Sequence, residues 1–176
     1  MSKLALLAGD GKLPVYCAQS AVEQGEDMIA ITVTSDAEYK KLQDIVDEAH
    51  QINVGQLDQI ITTLQQEEVD QVIMLGKVTK ELLYQGIELD ERFMKLLSSL
   101  GEKNDDAIML ALVKELEEAG IQVLEQGRFI QNLLPATGTL TSVEPTREVV
   151  ADMKYGFKMA KEIGGLDIGQ TVVVKE

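Results

Sequence analysis

Short apolar runs alternate with segments of helical period along most of this chain, and that alternation restricts its fold more than any other property. The runs are Leu4-Ala5-Leu6-Leu7-Ala8, Met28 to Val33, a weaker one around Ala49 to Asn53, Val72-Ile73-Met74-Leu75, and Ile121-Gln122-Val123-Leu124. Runs this short and apolar suit strands buried on both faces. Between them, Val15, Ala18, Ala21 and Val22 form one helical stripe ended by Gly25, and Leu57, Ile60, Ile61 and Leu64 form another. Ser35 and Asp36 can cap a short helix to about Leu42. A longer helix opens at Asn104-Asp105-Asp106, carries Ile108, Leu112 and Leu116, and stops at Gly120. Strands alternating with helices predict an α/β fold: a Rossmann-like parallel sheet of about five strands with helices on both faces. Right-handed crossovers give the order 3-2-1-4-5, with strands 1 and 4 adjacent where the winding reverses. Ligands of such sheets bind beyond the carboxyl ends of the strands at that point.

Glycine turns follow both of those strands: Gly9-Asp10-Gly11-Lys12-Leu13-Pro14 after the first, Gly76-Lys77-Val78-Thr79 after the fourth. Glycines let backbone turn sharply and approach a ligand closely. A helix opening at Pro14 aims unpaired N–H groups and partial positive charge into the first turn, which suits phosphate. The same pattern also fits an ordinary strand-to-helix turn. A standard dinucleotide fingerprint needs glycine at position 14, where Pro14 stands, and Asp10 would repel a pyrophosphate. Lys77 supplies positive charge; the Thr79 hydroxyl can cap a helix or reach a ligand. Asp36, beyond the second strand, is either a ribose-binding acid or a helix cap.

A net charge of −14 repels phosphate backbones and argues against nucleic acid as a partner. One cysteine, Cys17, excludes an intrachain disulfide, and one histidine, His50, makes a catalytic triad or a multi-histidine zinc site a poor reading. No apolar run approaches membrane-span length, and the N-terminus enters a strand without a signal-peptide pattern. The expected location is cytoplasmic.

From Gln126 the pattern changes. Asn132 to Leu140 is irregular, and Pro145-Thr146 starts a helix with Val149, Val150, Met153, Phe157 and Ala160 on its stripe, stopped by Gly164-Gly165. Leu166 to Gln170 leads into Thr171-Val172-Val173-Val174, which reads as a strand opening a further domain. The expected division is a Rossmann-like domain over 1–135, a connecting segment and helix over 136–165, and over 166–176 the start of a truncated C-terminal catalytic domain.

Four stretches together resemble a known family: Ala8 to Pro14, Gly76 to Thr79, Asn104-Asp105-Asp106-Ala107, and Ile163 to Val174 with the Pro145–Met153 helix before it. In this order and spacing the chain resembles the N-terminal portion of the UDP-2,3-diacylglucosamine pyrophosphatases of lipid A synthesis, the subfamily unrelated to the metallophosphoesterases. The resemblance implies a hydrolase, using Mg²⁺, that splits UDP-2,3-diacylglucosamine into UMP and 2,3-diacylglucosamine 1-phosphate. It places the catalytic aspartate beyond Glu176, so no catalytic residue is assigned here, and the fragment is expected to be inactive alone. Substrate-binding candidates are Gly9, Asp10, Gly11, Leu13, Pro14, Gly76, Lys77, Val78, Thr79 and Gln170. Weak metal-ligand candidates are Asp105, Asp106 and Asp167, the first two better explained as neutralising the first turn of their own helix. Implied partners are a lipid-linked nucleotide sugar and the C-terminal domain, with a homodimer compatible and at most peripheral contact with the inner membrane. An exposed apolar patch is expected where that domain would pack. Two other readings stay open: a stand-alone nucleotide-binding or interaction module, and an NAD(P)-dependent oxidoreductase. Against the common short-chain type of the latter, Tyr84 is followed four residues on by Glu88, and Tyr155 by Met159, never by lysine.

Overall fold

The structure, a computed structural model, describes residues 3–34, 36–78, 88–101, 105–166 and 168–174, without the side chains of 36 and 37. By its internal contacts the chain divides into two units, Met1–Leu133 and Leu134–Glu176.

In the first unit, β1 (Lys3–Ala8), β2 (Met28–Thr32), β3 (Glu48–Gln51), β4 (Val69–Leu75) and β5 (Gln122–Val123) form one sheet in the order β3-β2-β1-β4-β5. Every pairing is parallel. The order matches the one the crossover rule predicts, with β1 and β4 neighbours at the reversal. Side chains alternate between the faces along β1. Ala5 joins a core with β2, α3 (Leu57–Gln66), α4 (Glu91–Ser99) and α5 (Asp105–Glu118). Leu4, Leu6 and Ala8 join the opposite core, with Cys17, Ala18 and Ala21 of α1 (Leu13–Glu23) and Leu42 of α2 (Asp36–Leu42). Helices therefore cover both faces.

Of the predicted stripes, Leu57, Ile60, Ile61 and Leu64 are all buried on α3, each stabilising the unit by roughly 1.5–3 kcal/mol. On α5 only Leu116 is fully buried. Its predicted cap, Asn104, lies outside the described residues, as do Ser35 and the Asp36 side chain. The α4 helix was not individually legible. It is organised by Asp90, whose Oδ1 accepts the Phe93 N–H at 2.8 Å and caps α4. Asp90 Oδ2 accepts the Asp58 N–H at 2.6 Å in the first turn of α3. Arg92 adds a bond from its Nε to Glu115 Oε2 of α5 at 2.7 Å.

The second unit contains α6 (Arg147–Gly165), whose N-cap Thr146 accepts the Val149 N–H. The helix ends at Gly165, within the Gly164-Gly165 pair expected to stop it. Its Val149, Met153 and Phe157 are exposed, an apolar stripe of the kind expected from the sequence. Thr171–Val174 is not a strand: the segment has no sheet pairing, and Val174 Cγ2 would lie 3.3 Å from a Cβ placed on Gly156. β-branched composition favours extended backbone, but a strand needs a partner ladder, and among the described residues this segment has none. No described helix is long and apolar enough to cross a membrane.

Candidate functional site

Because β1 and β4 are adjacent and parallel, both glycine turns leave the same edge of the sheet. They meet backbone to backbone. The Gly9 N–H donates to Leu75 O at 2.8 Å, while Asp10 and Lys77 exchange bonds of 2.9 and 2.8 Å as an antiparallel bridge. A Cβ at Gly9 would sit 2.8 Å from Lys77 O, and one at Gly76 would sit 2.6 Å from the Gly9 carbonyl carbon. Gly76 also has φ +101°, in the region L residues avoid. Gly11, with φ +116°, meets nothing within 4 Å. Gly9 and Gly76 are therefore needed for close approach, and Gly11 for its turn.

This pairing narrows the expectation of a phosphate-binding loop. The amides of Gly9, Asp10 and Lys77 are engaged inside the fold. What remains for an anion is the start of α1, where Lys12 is the N-cap and no side chain caps the helix. Pro14 occupies the first turn and is buried, and Leu13 is 44% exposed. The Asp10 carboxylate accepts a hydrogen bond from Thr34 Oγ1 at 2.6 Å. Thr34 escaped the sequence reading. The available signal was that it leaves β2 beside the exit of β1.

Gly9, Gly76, Lys77, Val78 and Asp105 all border one cavity of about 410 Å³. Its other walls are mostly apolar, including Leu7, Met74, Phe93, Ile108 and Leu112. Asp10, Gly11, Leu13 and Pro14 are not on those walls. The structure thus brings together Gly9, Asp10, Gly76 and Lys77 through backbone, and part of that set with Asp105 around the cavity. Gln170 is exposed and belongs to the other unit. Thr79 and Asp167 lie outside the described residues.

Asp105 and Asp106 are consecutive on the first turn of α5, a spacing that does not point side chains at a common centre. Among the described residues they are in no convergent group of three metal-ligating side chains; the group that does converge is Glu48, His50 and Glu67. Asp105 and Asp106 therefore do not form a metal cage by themselves, whereas Mg²⁺ usually takes one or two carboxylates together with waters and substrate phosphates.

Residues 3–133 match the family described as the LpxI N-terminal domain, and residues 136–176 the LpxI C-terminal domain. The chain is similar to the UDP-2,3-diacylglucosamine pyrophosphatase LpxI of Caulobacter vibrioides, 31% identical over 181 residues, covering 100% of this chain and 62% of that protein. It thus spans less than two thirds of that relative's length. Among solved structures, UDP-glucose 4-epimerase from Bifidobacterium longum is similar over 69% of this chain and 36% of its own, at 13% identity and TM-score 0.44. Pyruvate carboxylase from Rhizobium etli is similar over 91% of this chain and 16% of its own, at 13% identity and TM-score 0.45. Likenesses of that grade carry no argument about function.

Proposed function

This chain belongs to the LpxI family, and on that premise we propose that it is the N-terminal part of a hydrolase cleaving UDP-2,3-diacylglucosamine to UMP and 2,3-diacylglucosamine 1-phosphate. The relative named for that pyrophosphatase supports the reaction class. The observation that carries a role for this chain is the crevice where two interlocked glycine turns leave neighbouring strands beside an apolar cavity.

In this reading the chain binds and orients substrate. The uncapped start of α1 and the Lys77 ammonium face anionic groups, and the fixed turns form a floor that yields little on binding. The cavity walls take an apolar portion of the ligand and exclude water from it. Gly9, Gly11, Leu13, Pro14, Gly76 and Val78 shape that side of the site, and Asp10 is held by Thr34. Mg²⁺, when bound, would neutralise charge on the pyrophosphate; its ligands, with Asp167 a weak candidate, and the catalytic carboxylate are placed outside the described residues of this chain. The reaction is taken to run in the cytoplasm, at most peripherally at the inner membrane.

The test is calorimetric titration of the 176-residue chain with UDP-N-acetylglucosamine and, separately, NADH, alongside ³¹P NMR of UDP-2,3-diacylglucosamine. Binding of the UDP ligand that weakens in Lys77→Ala, with no UMP released by this chain alone, is expected. NADH binding without any response to the UDP ligand would overturn the substrate class. Rapid UMP release would overturn the placement of the catalytic group.

A further inference from the structure

At the other end of the sheet from the glycine turns, three side chains from separate places in the sequence converge. Glu48 and His50 are two residues apart on edge strand β3, so both project from the same face. Glu67 ends α3, just before β4. His50 Nε2 lies 3.5 Å from Glu67 Oε1 and 3.8 Å from Glu48 Oε2, and all three groups offer ligand atoms within 4.8 Å of one another. The nitrogen is buried and has no hydrogen-bond partner among the described residues.

Lys3 divides the duties of Glu67. Its ammonium binds Glu67 Oε2 at 2.9 Å, which leaves Oε1 turned toward His50. That hydrogen bond also holds the Glu67 carboxyl below its usual range. Asp27 and Glu48 add negative charge around Lys3. Three carboxylates here surround a single ammonium.

We infer that Glu48, His50 and Glu67 bind a divalent transition-metal ion of the zinc type, clamping edge strand β3 to the turn between α3 and β4. Tetrahedral zinc, with bonds of about 2.0–2.2 Å to nitrogen and oxygen, sets its ligand atoms roughly 3.3–3.6 Å apart. The 3.5 Å separation to Glu67 already meets that, and the 3.8 Å separation to Glu48 needs only a few tenths of an ångström of adjustment. One imidazole and two carboxylates leave a fourth position for water, and the imidazole favours zinc over Mg²⁺, which prefers an all-oxygen octahedral shell. Lys3 acts in the outer shell, fixing which oxygen of Glu67 faces the ion. Nothing in this site depends on the glycine-turn crevice or on the proposed reaction.

The chain's only histidine gives a direct readout: its one imidazole Cε1–H resonance, followed by NMR in EDTA-treated protein as ZnCl₂ or MgCl₂ is added. The expected result is a saturating shift with one equivalent of Zn²⁺ and none with Mg²⁺. The calorimetric affinity for Zn²⁺ should fall about a hundredfold in His50→Ala and at least about tenfold in Glu67→Gln. Glu48→Gln, at an exposed position, keeps the fold and provides the same comparison if either other variant unfolds. A resonance that titrates with pH but ignores Zn²⁺ would make the cluster a protonated ion pair and overturn the inference. So would a Zn²⁺ response unchanged by Glu48→Gln.

Discussion

Replacing Gly76 by alanine tests the interlocked turns most directly, because the structure separates two costs that usually come together. The new Cβ would lie 2.6 Å from the Gly9 carbonyl carbon and 2.7 Å from its oxygen, on backbone with φ +101°. Holding an L residue there costs about 1–3 kcal/mol, and overpacking against backbone adds about 1–3 kcal/mol. Gly11→Ala carries the first cost without the second, since φ is +116° and nothing lies within 4 Å. Gly9→Ala carries only the second, against Lys77 O at 2.8 Å, offset by about 0.4–1 kcal/mol from a less free unfolded chain. The same unfolded-state offset applies to all three, so the expected total for Gly76→Ala is about 1–5.6 kcal/mol, exceeding Gly11→Ala by about 1–3 kcal/mol. Gly9→Ala combined with Gly76→Ala should cost less than the sum, because both crowd one contact. The assay is urea unfolding followed by far-UV circular dichroism, the chain having no tryptophan. Gly76→Ala within about 0.5 kcal/mol of Gly11→Ala would refute the close contact between the turns.

Two further expectations concern stability. Asp90→Ala should cost about 2 kcal/mol, near 1 for each helix capped, and Asp90→Asn about half that, since one oxygen acceptor survives; near-wild-type stability of Asp90→Asn in urea unfolding would show that one carboxylate does not serve both helices. Burial pushes the Cys17 thiol up to about 11 from 9.0. The unfolded chain therefore loses this proton first, and stability falls as pH rises from 9 toward 11. By pH ~10 the wild type should lose about 1.4 kcal/mol more than Cys17→Ala, and a thiol reagent should label Cys17 only as the protein unfolds. Parallel pH dependence of the two proteins, or immediate labelling of the native chain, would contradict this.

The first unit was legible where local pattern and tertiary environment agree. The apolar runs became strands because helices cover both faces, and the spacing on α3 placed all four of its large apolar residues inside. The α4 helix was harder to read, since it buries only Phe93 and Leu96 and its cap also serves another helix. Thr171–Val174 misled for the opposite reason: its side chains favour extension, but among the described residues no neighbouring strand completes it. At the site, sequence located the glycines but not what they do. Cross-turn pairing engages amides that a linear reading leaves free, and Thr34 reaches Asp10 from a different strand. Glu48, His50 and Glu67 were unreadable as a group because only the parallel order of the sheet brings an edge strand beside a helix end.

The bridge between Asp10 and Lys77 has a thermodynamic consequence for any ligand of that crevice. Fixing a backbone residue costs about 1–2 kcal/mol of conformational entropy, and here folding has already incurred that cost for both turns. A ligand arriving at this floor meets preorganised backbone, so its binding should show little additional ordering of these turns. Amide hydrogen exchange at Asp10 and Lys77 should be slow before ligand is added and almost unchanged afterwards. The two turns then move as one rigid element, and adjustment to the shape of the ligand is left to the exposed side chains around them.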